Sequence, residues 1–171
     1  MKFKFNYLLY LARLLFFFIS KKNIVWKSFK VGFGKNVRIR CLDKGKIFFG
    51  KNNFFDDNCC IEAIGNGKII FGDNVKLNRN ITLVARKEII ISDNVIFGPN
   101  SIIYDHDYNF SSLVKKNKKY ISKEIFIEKN CWIGGLSFIG KGVRVGKNSV
   151  IAAGSKVTKN VNKNVIFKNK I

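Results

Sequence analysis

The sequence predicts an all-β protein, a triangular parallel β-helix of about six coils. Three observations carry that reading: an apolar residue every six positions, a small or aliphatic residue two positions before it, and an asparagine or glycine three positions after it. From Ile133 the apolar position runs through Ile139, Val145, Ile151 and Val157. Backwards, the same step joins Ile91, Phe97 and Ile103, then Phe71, Leu77 and Leu83, then Phe49, Phe55 and Ile61, and Phe33 with Ile39; with Ile127, all seventeen positions are apolar. An α-helix repeats on 3.6 residues and an ordinary strand on two, so a six-residue period describes short strands joined at regular corners, three to a coil.

The second set includes Val75, Ile81, Val95, Ser101, Ser137, Val143, Ser149 and Ser155, and strand alternation points it inward with the first. At the corners the backbone needs a residue tolerant of positive φ. Asn36, Asn52, Asn58, Asn74, Asn80, Asn94, Asn100, Asn130, Asn148 and Asn160, with Gly142 and Gly154, fill twelve of the seventeen corners. Extra residues fall only between groups of three hexads, at one edge: four after the hexad of Ile39, four after that of Ile61, two after that of Leu83 and eighteen after that of Ile103. The first three are expected to be slack around a corner, where Gly45, Gly65 and Gly67 sit. The fourth is a long loop from about 104 to 124, and a long loop on a rigid solenoid is where function concentrates. His106 occupies the corner position at its base.

Residues 1–22 do not share the period. Their apolar run, Tyr7 to Ile19 interrupted by Arg13, suits a helix too short to span a bilayer, one that caps the first coil or lies on the inner membrane face. The chain therefore divides into this segment, a repeat domain over 23–165 and a basic tail over 166–171. The 171 residues carry 32 Lys and Arg against 11 Asp and Glu, a net charge of +21. Both ends are cationic, since all the acids lie between Asp43 and Glu128. Such a charge admits a polyanion-binding or scaffold protein, but no nucleic-acid motif is present and none is expected as a partner. A single histidine excludes a site built on several, so no metal site is expected. Cys41, Cys59, Cys60 and Cys131 form no C-x-x-C pair and read as reduced thiols of a cytoplasmic protein, with Cys59 and Cys131 in the inward set.

The run Cys131-Trp132-Ile133-Gly134, then Gly146 to Ser155, then Val157-Thr158-Lys159, together with Ile103-Tyr104-Asp105-His106-Asp107, resembles the hexapeptide-repeat O-acetyltransferases of galactoside, maltose and polysaccharide type. The resemblance covers residues 31 to about 165. It implies a left-handed β-helix, a homotrimer, and acetyl-CoA as co-substrate in a cleft between subunits. It implies His106 as general base toward a sugar hydroxyl, oriented by Asp105 or Asp107, with Asn78 beside the acceptor. For the cofactor it implies the Gly135 N–H at the oxyanion, Ala153 at the pantetheine arm, Thr158 and Lys159 at the nucleotide end, and Trp132 as a wall of the site. The acceptor it suggests is a cell-surface polysaccharide or its lipid- or nucleotide-linked precursor. Many relatives close with a Gly-x-Pro turn, which this chain lacks, and some have a second histidine two residues beyond the first, where this chain has Tyr108.

Overall fold

The computed structural model describes residues 23–28, 30–111 and 119–169, so the reading of residues 1–22 as a helix lies outside it. The first coil is formed by Ile24–Trp26, Val31–Phe33 and Arg38–Asp43, and five more coils stack on it. The result is three parallel sheets, one per side of a triangular prism, with Val161 and Ile166–Phe167 beginning a further turn. This is the all-β, six-coil solenoid that the period predicted, consistent with the left-handed β-helix implied by the resemblance.

Register follows the repeat. Phe33 pairs with Phe55, Phe55 with Leu77, Leu77 with Phe97, Phe97 with Ile133 and Ile133 with Ile151, offsets of 22, 22, 20, 36 and 18 residues. The basic coil is thus eighteen residues, and every insertion lies between the third strand of one coil and the first strand of the next. The four-residue insertions are not slack. They extend the third strands to Arg38–Asp43 and Cys60–Gly65, paired along their whole length, and the chain then turns tightly enough that a Cβ on Gly45 or Gly67 would sit 2.1 or 2.2 Å from a carbonyl oxygen of the next coil.

Both inward sets are buried. Sixteen of the seventeen apolar positions form the core, and Phe33, at the open first coil, packs against it partly exposed. Lower coils use aromatic stacks, Phe33 on Phe55 at 5.4 Å and Phe49 on Phe71 at 5.3 Å, while upper coils use aliphatic columns. The inward Ser101, Ser137 and Ser149 are satisfied by carbonyls, Ser101 Oγ by those of Gly98 and Gly134, both at 3.1 Å.

Eleven of the twelve expected corner residues have positive φ, Asn160 being the exception; its Oδ1 instead accepts the Arg144 N–H at 2.8 Å. At the corner between the first and second sheets the side-chain amides form a ladder, Asn52, Asn74, Asn94, Asn130, Asn148 and Asn164, bonded at 2.9–3.2 Å. Asn94 bonds directly to Asn130, so the eighteen-residue insertion leaves the stacking untouched. At the next corner the asparagines give way to Leu136, held at φ +60° and 69% exposed. A leucine in this region costs about 1–2 kcal/mol, and nothing buried repays it. Leu136→Asn is therefore expected to stabilise the fold by about 1 kcal/mol in urea unfolding; unchanged or lower stability would contradict the strain.

Candidate active site

Asp105 and His106 sit where the third strand of the fourth coil, Ile102–Tyr104, leaves the solenoid for the long loop. The loop starts and ends as an antiparallel hairpin, His106–Tyr108 on Tyr120–Ser122, with His106 opposite Ser122. Alternation decides the orientation of the motif: Ile103 points in, Tyr104 out, Asp105 in. The Asp105 carboxylate is fully buried and accepts the backbone N–H of Arg86 at 2.8 Å and of Lys87 at 2.7 Å, from the corner of the coil beneath. Its Oδ1 lies 3.0 Å from His106 Nδ1. A carboxylate so engaged only accepts, so Nδ1 carries the proton and Nε2 keeps the lone pair.

The imidazole is further fixed by aromatics. Tyr104 stacks on it at 5.6 Å with an interplanar angle of 22°, and Tyr120 meets it nearly perpendicularly at 5.4 Å. Only 13% of the His106 side chain is exposed. The Tyr120 hydroxyl donates to that of Tyr108 at 3.1 Å, and the Arg86 guanidinium lies 3.5 Å from the centre of the Tyr120 ring. The choice between the two flanking acids is thereby resolved: Asp105 holds the imidazole, whereas Asp107 is exposed and pairs with Lys141, tying the hairpin to the fifth coil. Tyr104 was readable as outward-facing from its place after Ile103. Tyr120 and Arg86 were missed, because only the hairpin register and the stacking of coils bring them here.

Apart from Trp132, the remaining predicted residues divide between the two edges of the third sheet. Thr158 and Lys159 follow Lys156–Val157 in the sixth coil and so share a corner column with His106 and Lys141. Asn78, Gly135 and Ala153 share the opposite column, between the second and third sheets. There a Cβ on Gly98 would lie 2.4 Å from Gly135 N, and one on Gly134 2.5 Å from Ala153 N. Within one chain the structure does not bring Asn78 to His106. Asn78 Oδ1 instead accepts the Arg79 N–H at 2.9 Å, closing its own turn. Trp132 projects from the second sheet, 55% exposed.

Backbone polarity in that opposite column changes along the solenoid. At successive coils the same amide is taken by a side-chain oxygen: Lys35 N–H by Asp57, Asp57 N–H by Asp56, Arg79 N–H by Asn78. Pro99 has none, and the amides of Gly135 and Ala153 have no acceptor among the described residues. The two positions of this column expected at the cofactor are thus the two whose N–H no described residue accepts.

The fold is a hexapeptide-repeat β-helix, with a histidine at the corner where its long loop leaves. Residues 124–159 match the family described as bacterial transferase hexapeptide (six repeats). The chain is 42% identical over 89 residues to a galactoside O-acetyltransferase of Lactococcus lactis, a match covering 52% of this chain and 43% of that protein. It spans less than half the length of that relative. Among solved structures it is similar to a hexapeptide-repeat acetyltransferase of Vibrio cholerae complexed with acetyl-CoA, at 26% identity and a TM-score of 0.56 over 77% of this chain and 65% of that one. The N-acyltransferase AntD of Bacillus cereus, complexed with dTDP and 3-hydroxybutyryl-CoA, shares the fold at a TM-score of 0.71 and 22% identity, over 84% of this chain and 76% of that one. The resemblance to the hexapeptide-repeat acetyltransferases is borne out.

Cys59 and Cys131 are core thiols. Burial pushes the Cys59 thiol up to about 11, and its Sγ donates to the Asn78 carbonyl at 3.1 Å; Cys131 is likewise raised by burial and donates to Gly146 at 3.2 Å. A protonated, enclosed thiol is neither nucleophile nor easy target. Mass spectrometry after native iodoacetamide treatment at neutral pH is expected to find both unlabelled until the chain is unfolded. Rapid native labelling of either would remove them from the core.

Proposed function

We propose that this chain is an acetyl-CoA-dependent O-acetyltransferase acting on a sugar hydroxyl, with His106 as general base. The observation that carries the reading is the Asp105–His106 pair, in which a buried, twice hydrogen-bonded carboxylate fixes the imidazole and leaves Nε2 as the proton acceptor. The galactoside O-acetyltransferase relative and the acetyl-CoA complex of the Vibrio cholerae protein supply the acetyl donor. Acetyl-CoA provides an activated thioester. Nε2 takes the proton of the acceptor hydroxyl as that oxygen attacks the thioester carbonyl, and the imidazolium returns it to the departing sulfur. The free Gly135 N–H is the donor for the oxyanion, and a glycine lets that amide be approached closely. Ala153 N–H meets the pantetheine arm, Thr158 and Lys159 the nucleotide, Trp132 lines the site, and Asn78 stands beside the acceptor.

His106 and Gly135 lie on different edges of one sheet, which supports a site completed between copies of the chain in a homotrimer. The acceptor is a surface polysaccharide or its nucleotide- or lipid-linked precursor, the sugar nucleotide finding support in AntD, solved with dTDP. The enzyme works in the cytoplasm, with residues 1–22 touching the inner membrane face. No helix of the described residues is long and apolar enough to cross a membrane. A chain lacking residues 1–22 that still partitions onto anionic vesicles as the full chain does would remove that contact.

His106→Ala is expected to lower acetyl transfer by about two to four orders of magnitude with an unchanged melting temperature. Acetyl-CoA is expected to raise the melting temperature more than ATP at equal charge, and less in Lys159→Ala. An active His106→Ala enzyme, or equal shifts with every polyanion, would refute the proposal. Co-expressed His106→Ala and Ala153→Arg chains, each inactive alone, are expected to recover part of the activity if each site takes its two edges from different copies. No recovery would place the whole site within one chain.

A further inference from the structure

Arg86 forms the corner of the third coil directly beneath Asp105. Among the described arginines, Arg40 lies against Glu62, Arg79 against Asp56 and Arg144 against Glu128, whereas the exposed Arg38 and the partly buried Arg86 form no ion pair with a described residue. Arg86 has no such carboxylate, and the acids around it are already engaged. Asp105 is taken by two backbone amides and His106, Glu124 by Lys87, and Asp107 by Lys141. The Arg86 guanidinium instead lies over the Tyr120 ring, whose edge-on partner is His106, and Arg86 Nε is buried without a hydrogen-bond partner among the described residues. A permanently charged group with an unmet buried N–H is costly, and its retention needs a reason. Arg86 as a whole is only partly buried, so an incoming group can reach it.

We propose that Arg86 is the recognition residue for an oxyanion carried by the acceptor, close to the hydroxyl that His106 deprotonates. A guanidinium is planar, always charged and suited to two-point contact with phosphate or carboxylate, and Tyr120 sets its plane. This rests on the acyltransferase reading and narrows its acceptor to an acidic sugar: a sugar phosphate, a nucleotide-linked sugar or a uronic acid. Arg86 and His106 share both Tyr120 and Asp105, so the anion site and the base are positioned as one unit.

The test is calorimetric binding of glucose 1-phosphate, glucuronate and methyl glucoside to the full chain, followed by kcat/KM for the same sugars with acetyl-CoA. The acidic sugars are expected to bind at least tenfold more tightly than the neutral one, and the preferred acid distinguishes phosphate from carboxylate. Arg86→Gln is expected to abolish that preference and Arg86→Lys to keep part of it. Tyr120→Ala, which frees the guanidinium but retains its charge, is expected to weaken it. A preference unchanged in Arg86→Gln and Tyr120→Ala, or loss of affinity equal for neutral and acidic sugars, overturns the proposal. Binding is read without turnover: Arg86-dependent binding of acidic sugars with no acetyl transferred would leave the anion site standing and refute the acyltransferase reading instead.

Discussion

Stacking in register at an eighteen-residue spacing is the constraint on which the rest of this molecule depends. Because Phe97 must sit on Leu77 and Ile133 on Phe97, every residue finds its equivalents directly above and below. Corners become columns, and a residue's surroundings are set by coils distant in sequence but adjacent in space. The asparagine ladder is the repeated solution, a side chain that tolerates positive φ and bonds to its own kind. The corner at Asp105 and His106 is the exception. At Asp105 the slot that holds Cys41, Ala63 and Ala85 in the three coils beneath holds a carboxylate, admissible only because the coil below presents two backbone N–H groups to it. The residue that satisfies the third coil also orients the histidine of the fourth.

Insertion lengths decide which corner departs from the repeat. Two or four extra residues are absorbed by lengthening strands, as in Arg38–Asp43 and Cys60–Gly65. Eighteen residues exceed what a strand can absorb, so the chain leaves the prism as a hairpin and returns. That excursion brings Tyr120 against the imidazole and lets Asp107 pair with Lys141 across to the fifth coil. The solenoid supplies rigidity, and the hairpin supplies the walls.

The coils were legible in the sequence because one physical demand, an apolar residue at each inward position, is repeated seventeen times. His106 was legible because it is the lone histidine and stands at the break in the period. The choice of Asp105 over Asp107 was not drawn from the sequence, although strand alternation from Ile103 contained it. Arg86 and Tyr120 were out of reach, since their meeting depends on a coil offset and a hairpin register together. The separation of Gly135 and Ala153 from Thr158 and Lys159, on opposite edges of one sheet, was likewise hidden until the corners were assigned to columns. Leu136 shows the limit from the other side: its position announced a corner, and its residue type gave no warning that the corner would be left-handed.

The central claim is that Asp105 holds His106 with Nδ1 protonated and Nε2 bare. The lone imidazole makes this directly readable by long-range nitrogen–proton correlation NMR on the uniformly labelled protein, at a pH where the ring is neutral. The account predicts the Nδ1–H tautomer, with that preference weakened in Asp105→Asn. An imidazole protonated at Nε2, or one averaging freely between tautomers in the unaltered chain, would contradict it.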